Sequence, residues 1–504
     1  MDLNEVSDNL QIQLRELIAQ RIGLHFPPGR WRDLQRGLSG AFEELGFADL
    51  TSGAEWLLST PLTKAQLEVL VSHLTIGETY FFRETKTFQA LSEKIISELV
   101  HLRRKGNRRL RIWSAACCTG EEPYSIAIML QQAIPDLGDW HVTILATDIN
   151  ARFLQQAVAG VYGEWSFRGT AASLRDRYFK RTKNGRYAIL PEIKNRVTFA
   201  QVNLVQDLFP SLTSETNAMD LIFCRNVLMY FSPSQAQKVV HNLRRALVHG
   251  GWLVVSPTEA SHTLFTEFTP VNFPGVILYQ KGHVDRAKVP SSLPSTVTEG
   301  ASGFASTFEL SLPQMPLVTY QCAQPMTAPA KKEPGVHEQR HAIAQSLYEC
   351  GQYAEVVDTL LSSTDTNPAP DLRTFSILTR ALANQGKLAE ALTWSERWVN
   401  ADKLDASSHY LRAVILQELG DVEQSRRSLQ TATYLDPRFV LAHFALGNLA
   451  RSLGNFPDAK RHFANASHLL RDHKTDDVLP ESDGLTANRL TEIITTITAM
   501  QVTP

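Results

Sequence analysis

One stretch near residue 115 narrows what this chain can fold into more than any other part of its 504 residues. The apolar run Leu110–Ala116 reads as a buried strand, Cys117–Gly120 as a tight turn, and Glu121–Ile128 as the opening of a helix. Thr119 and Glu122 have the spacing of a capping box, and Pro123 fits a first helical turn. Strand, glycine-containing turn and helix N-terminus in succession form the ligand corner of a doubly wound α/β sheet. Two carboxylates, Glu121 and Glu122, stand where a phosphate-binding corner would carry glycines. They repel a pyrophosphate and attract a cation. A nucleoside bearing positive charge fits, and S-adenosylmethionine has such sulfonium and ammonium groups. Acidic residues in a first turn also complement the helix macrodipole, by a few tenths to roughly 1 kcal/mol. Taken alone, the pair is explained slightly better by that plainer account.

Downstream segments extend the pattern. A second strand, His141–Asp148, ends in an acid before a helix starting near Asn150. In nucleoside-binding sheets such an acid accepts hydrogen bonds from the ribose hydroxyls; a helix N-cap is an equally good reading of Asp148. The gap from Gly120 to Asp148 exceeds the usual spacing of about 20 residues, and a longer first helix with the Pro135–Asp139 loop accounts for it. A third strand, Met219–Cys224, runs into Arg225-Asn226-Val227-Leu228-Met229-Tyr230-Phe231. Ser232–Gln235 then opens a capped helix with an apolar stripe of Val239, Val240, Leu243, Ala246 and Leu247. Gly250-Gly251 are expected to end that helix before a strand at Trp252–Ser256. Arg, Asn and Tyr just past the carboxyl end of a parallel strand lie where such sheets bind ligands.

Helices precede this core, with Leu10, Leu14, Leu17 and Ile18 on one face and Leu67, Leu70, Val71 and Leu74 on another. The stretch ends in Thr79-Tyr80-Phe81-Phe82-Arg83-Glu84, which by period and composition alone reads as ordinary core and surface. Four separated motifs, taken together, point elsewhere: Thr79–Glu84, Ala115–Ser125, Ala146-Thr147-Asp148-Ile149 and Phe223–Phe231. Over roughly residues 10–282, they resemble the chemotaxis receptor methyltransferases of the CheR family. These transfer a methyl group from S-adenosylmethionine to receptor glutamates and release S-adenosylhomocysteine. The resemblance implies that Thr79 and Arg83 line the active site and that Glu121 and Glu122 bind the methionine end. It places Asp148 on the ribose, Asn203 and Leu204 on the adenine side, Arg225 and Asn226 near the ligand, and Tyr230 at the reacting centre. Arg83 and Tyr230 are the expected catalytic pair. Gly77 and Glu78 replace an Asn-Leu pair found in some members, so no side-chain contact from position 77 is expected.

The chemistry asks little of proton transfer. Methyl transfer to a carboxylate is a displacement at carbon with a neutral thioether leaving, and glutamate, with a pKa near 4.3, is already ionised. No general base is needed. The enzyme must align a carboxylate oxygen and limit its desolvation. Arginine's charged fork matches a carboxylate, and a tyrosine hydroxyl can fix the attacking oxygen.

A β insertion is expected at about 160–203, with short strands at Arg186–Leu190 and Arg196–Ala200 and an Asn184-Gly185 hairpin turn. In the family such a subdomain touches receptor, in some members by adding a peptide strand. Residues 283–335 are rich in Pro, Ser, Thr, Ala and Gly and read as a flexible linker. Beyond it, Gly386, Gly420 and Gly454 recur every 34 residues with Gly351 one residue out of step, which resembles tetratricopeptide repeats. Four units are expected within 336–475, and a capping helix at Leu485–Met500 within the tail 476–504. Such arrays bind proteins.

The net charge of −2 gives no field for nucleic acid or membrane, except for the basic run Arg103–Arg111, which lacks interleaved aromatics. The five cysteines (Cys117, Cys118, Cys224, Cys322 and Cys350) have no metal-ligand spacing, so neither a metal nor a disulfide framework is expected. No signal peptide or spanning run is read, so the expectation is a cytoplasmic protein without membrane insertion that can be recruited to receptor clusters. The expected architecture is multidomain: an all-α N-terminal domain (1–100), a doubly wound α/β methyltransferase domain (101–282), the linker, and a C-terminal α-solenoid. The expected partners are receptor cytoplasmic helices and a protein bound by the repeats, with residues 1–282 folding and binding cofactor alone. Two alternatives stay open: the same fold acting on another carboxylate substrate, and a catalytically weak signalling scaffold.

Overall fold

The computed structural model describes residues 6–106, 108–282, 336–361 and 372–501. Four helices open it: α1 (Asp8–Arg21), α2 (Trp31–Glu44), α3 (Leu50–Ser59) and α4 (Lys64–Leu74). Each buries an apolar stripe, and Leu14, Ile18, Leu34, Leu38, Phe42, Leu57 and Leu70 form one small core. Side-chain caps fix three of the starts: Ser7, Asp49, and the capping box Thr63/Gln66. α5 (Thr85–Ala90) then runs through a π-turn into α6 (Ser97–Arg103) and leads to the sheet.

The α/β core contains β1 (Arg109–Ala115), α7 (Glu121–Ala133), β2 (His141–Asp148), α8 (Ala151–Ala159), β3 (Val161–Tyr162), α9 (Ala172–Tyr178), β4 (Phe179–Arg181), β5 (Tyr187–Ile189), α10 (Pro191–Lys194) and β6 (Val197–Gln201). It continues with β7 (Met219–Cys224), α11 (Pro233–Ala246), β8 (Leu247–Val254), β9 (Thr269–Phe273) and β10 (Val276–Gln280). Seven strands form one sheet in the order β6-β2-β1-β7-β8-β10-β9, with β6, β2, β1, β7 and β8 parallel and β10 and β9 antiparallel. β1 is buried along its whole length, as expected of a strand covered on both faces. The strand order reverses beside β1, so the carboxyl ends of β1, β2 and β7 open onto the crevice where such sheets bind ligands.

Three local expectations are corrected. The run 196–200 belongs to the main sheet: β6 pairs parallel with β2, and the small antiparallel sheet is β3-β5-β4 alone. Gly250-Gly251 do not end α11, which stops at Ala246; they lie within β8, where the register with β7 is irregular. The Thr119/Glu122 box does not form. Gly120, at φ 95°, takes the N-cap position of α7, and the Thr119 hydroxyl donates to Glu121 instead. Glycine is required there: an ideal Cβ would sit 2.8 Å from the Ala157 Cβ in a left-handed conformation.

The repeats form helical hairpins: α12 (Val336–Glu349) with α13 (Tyr353–Leu361), α14 (Leu372–Asn384) with α15 (Leu388–Ala401), α16 (Ala406–Glu418) with α17 (Val422–Leu435), and α18 (Val440–Ser452) with α19 (Phe456–Leu470). Gly351, Gly386, Gly420 and Gly454 make the intra-hairpin turns, all at positive φ. After them α20 (Ala487–Gln501) packs against α19 and against β6. The linker expected at 283–335, with Cys322, lies outside the described residues.

The repeats do not hang free of the catalytic part. Buried Glu418 of α16 accepts from Arg109 at 2.6 Å and from Asn217 at 2.9 Å, and lies 3.5 Å from Arg111. Leu212, from the loop before β7, joins the repeat core, and its amide donates to Asp483 at 3.4 Å. The arginines of the basic run are consumed in this way. Arg103 binds Asp220, Arg104 and Arg108 reach Asp136, and Arg109 and Arg111 dock the repeats. No helix among the described residues is long and apolar enough to cross a membrane.

Candidate active site

The turn from β1 to α7 is held in backbone conformations that side chains rarely adopt. Ala116 at φ 63°, Cys118 at φ 52° and Gly120 at φ 95° alternate through it. Such strain persists only where the surroundings enforce it, and it clusters at ligand sites. Here the enforcement comes from β2: the Asp148 carboxylate accepts the Cys118 amide at 2.8 Å, and the Cys117 amide donates to the Thr147 carbonyl at 2.8 Å. The other Asp148 oxygen accepts the Asn150 amide at 2.8 Å, while the Asn150 side chain caps α8. The strand-end acid is therefore not the helix cap. Burial pushes its pKa up to about 6, against the pull of those amides. Each oxygen keeps a further acceptor position.

A cavity opens beyond this turn. It is lined by Thr79, Arg83, Glu122, Asp148, Asn203, Leu204, Arg225, Asn226 and Tyr230, with Ile149, Phe153 and Phe231 supplying apolar wall. The structure thus gathers nine of the ten expected site residues around one space. The exception is Glu121. Its carboxylate is buried, accepts from Thr119 at 2.6 Å and Ser166 at 3.0 Å, and is absent from the cavity lining. Burial raises its pKa. One residue along the helix, Glu122 turns the other way, taking Ser114 at 2.7 Å and Arg225 at 2.9 Å.

Arg225 is buried between Glu122 and Glu84, each within 2.9 Å, and also donates to the Arg83 carbonyl at 2.8 Å. Two carboxylates against one guanidinium make this cluster locally negative, while across the whole cavity wall Glu78, Glu122 and Asp148 are balanced by Arg30, Arg83 and Arg225. A cationic group is suited to the Glu122 side of the cavity. Asn226 sits at φ 57°, its amide bound at 2.6 Å by buried Glu259, whose other oxygen takes the Val227 amide at 2.8 Å. Glu259 thereby pins the loop carrying Arg225 and Tyr230. Burial also pushes up the Cys117, Cys118 and Cys224 thiols, which keeps them from acting as thiolate nucleophiles.

Arg83 stands near the rim, donating to the Glu78 carbonyl at 2.7 Å, with its guanidinium 5.8 Å from the Tyr80 ring centre. Gly77 lies against Phe153, where an added Cβ would meet the ring at 2.8 Å. A glycine at 77 thus fits the wall as built. Asn203 accepts the Val205 amide at 3.0 Å and donates to the Arg21 carbonyl at 2.9 Å, so α1 closes the cavity from the other side. Ile22, His25, Phe26 and Arg30 complete that wall. Sequence reasoning misses these four, because a loop after a helix carries no period. Gly23 was the available signal: at φ 91°, its place would bring a Cβ within 2.5 Å of Val205.

Comparison with known proteins gives the arrangement its family. Residues 77–276 match the CheR methyltransferase SAM-binding domain, and 372–397 match a tetratricopeptide repeat. Chemotaxis protein methyltransferase Cher2 of Pseudomonas putida is 35% identical over 272 residues, 53% of this chain and 96% of that protein. The chain belongs to the CheR methyltransferase family. As a CheR-family member it is an S-adenosylmethionine-dependent protein methyltransferase. Chemotaxis protein methyltransferase 1 of Pseudomonas aeruginosa is 36% identical, over 42% of this chain and 77% of its own length. The probable biofilm formation methyltransferase WspC of the same species is 26% identical over 89% of this chain and 96% of its own length. That last alignment runs through the repeat region as well as the catalytic part.

Proposed function

We propose that this CheR-family enzyme esterifies glutamate side chains on the cytoplasmic helices of methyl-accepting receptors. The observation that carries the reading is the single cavity shared by Asp148, Glu122, Arg83 and Tyr230 at the carboxyl ends of β1, β2 and β7. Its donor set fits S-adenosylmethionine: a strand-end carboxylate for ribose hydroxyls, Glu122 facing the cationic methionine end, and apolar Leu204 and Ile149 for a base. When bound, that molecule supplies an electrophilic methyl group. Arg83 aligns the incoming carboxylate with its fork and offsets its desolvation, and the Tyr230 hydroxyl fixes the attacking oxygen. No residue has to move a proton. Glu121 acts differently from its neighbour in this scheme, buttressing the turn through Thr119 and Ser166.

The repeats are read as the surface that meets a protein partner. Incubation with labelled S-adenosylmethionine and receptor-containing membranes tests the whole reading. Base-labile label on the receptors is expected. Label on a small acid alone would favour the other carboxylate substrate, and no transfer despite cofactor binding would favour a scaffold.

A further inference from the structure

Arg489 touches a loop 282 residues before it in the chain. One of its amino groups donates to the Asp207 carboxylate at 2.7 Å and to the Gln201 carbonyl at 3.0 Å; the other holds Glu492 on its own helix at 2.8 Å. The same Asp207 oxygen accepts the Asn203 amide at 2.7 Å. A single oxygen thus joins α20 to the turn that presents Asn203 and Leu204 to the cavity. A second link runs beside it. The Thr496 hydroxyl is shared between the Glu492 carbonyl at 2.9 Å and the Gln201 side-chain oxygen at 3.1 Å, and the Gln201 amide group donates to the Ile149 carbonyl at 2.9 Å, one residue past Asp148.

The need for such a prop follows from the topology. β6 is the edge strand, so the turn that follows it has a sheet neighbour on one side only. From the other side α1 contributes contacts to its carbonyls from Asn203 and Gln206. The remaining charge in the turn, Asp207, is met by Arg489.

We propose that Arg489 is a positioning residue for the cofactor site: from α20, the helix that follows the repeats, it fixes the Asn203–Asp207 turn and so completes the site from behind. The proposal rests on reading Asn203 and Leu204 as the adenine side. Arg489 touches no reacting atom, and its effect belongs to binding rather than to chemistry. Because the turn meets the nucleoside, which substrate and product share, both ligands should feel its loss equally.

The test uses full-length protein and calorimetry with S-adenosylmethionine or S-adenosylhomocysteine, followed by kinetics on a soluble receptor fragment. Arg489→Met is expected to raise both Kd values by about tenfold and to raise KM for S-adenosylmethionine in parallel. The kcat and the KM for the fragment should hold, a split that a general loss of folding would not give. Unchanged Kd values in folded Arg489→Met overturn the proposal, as does a fall confined to kcat. Should that variant fail to fold, Arg489→Lys decides: one amine cannot reproduce the fork, so about a threefold loss is expected, and wild-type affinity refutes. Asn203→Ala separates the two levels. If it binds normally, the adenine-side reading fails and takes the proposal with it. If it binds weakly while Arg489→Met does not, the reading stands and the proposal alone falls.

Discussion

Replacing Glu418 with glutamine would test how firmly the repeats are seated. The side chains of Glu418, Arg109 and Arg111 are 6%, 8% and 3% exposed, so all three charges lie out of water. Burial pushes the Arg109 pKa down to about 10, and the Glu418 charge is the largest influence opposing that. Glu418→Gln keeps the volume and the contact to Asn217 but leaves two buried guanidinium groups without their carboxylate. Removing one partner of a buried ion pair costs roughly 3–5 kcal/mol, because the other charge stays desolvated. A loss of about 4 kcal/mol corresponds to a drop in midpoint of about 8–16 °C for a cooperative unit of 150–250 residues. Scanning calorimetry on the full chain reads this directly. Limited proteolysis should then cut faster near the docking loop 208–217. Glu423→Gln, at the second position of the next helix with its arginine partners at the surface, is the control and should leave the melt unmoved. A Glu418→Gln melt that matches wild type would refute the buried dock.

Three further outcomes follow from the site. If Asp148 takes the ribose hydroxyls as a carboxylate, affinity for S-adenosylmethionine should fall as pH drops through about 6, the value to which burial has raised its pKa; calorimetry from about pH 5 to 8 should give a plateau above about pH 7 and a decline below it that Asp148→Asn abolishes, and a flat wild-type profile refutes the assignment. Arg83→Ala should lower kcat on a receptor fragment by about a hundredfold with little change in cofactor Kd; near-normal turnover by Arg83→Lys would show that local charge alone suffices. Glu122→Gln should weaken S-adenosylmethionine by about tenfold, or about 1.4 kcal/mol, and the neutral-sulfur product by less; equal losses would remove the sulfonium from the argument.

Local signals in the sequence were legible where one local force decides the outcome. β2 and β7 run over His141–Asp148 and Met219–Cys224 as read, and Ser232 with Gln235 forms the expected capping box. The 34-residue glycine spacing survives as left-handed turns because few other residues fit there. What failed was decided at a distance or by helical phase. Val197–Gln201 looks like a hairpin neighbour in sequence, but its partner is β2, some fifty residues earlier. Glu121 and Glu122 are adjacent letters, yet about 100° of helical rotation sends one to Ser166 and the other to the cavity. Glu418 has the composition of a helix surface, and only the docked loop reveals it as buried.

The prop on the edge strand also sets an order of events during synthesis. Gln201 and Arg489 are separated by 288 residues, which a ribosome adding about 5–20 residues per second needs roughly 15–60 s to cover. Through that interval β6 has emerged without α20 beside it, and an uncovered strand edge is a template for pairing with other chains. The nascent enzyme therefore passes through a stage that holds a complete sheet and an unguarded margin. Its yield in a cell should depend on how well chaperones shield residues 197–207 until residue 489 arrives.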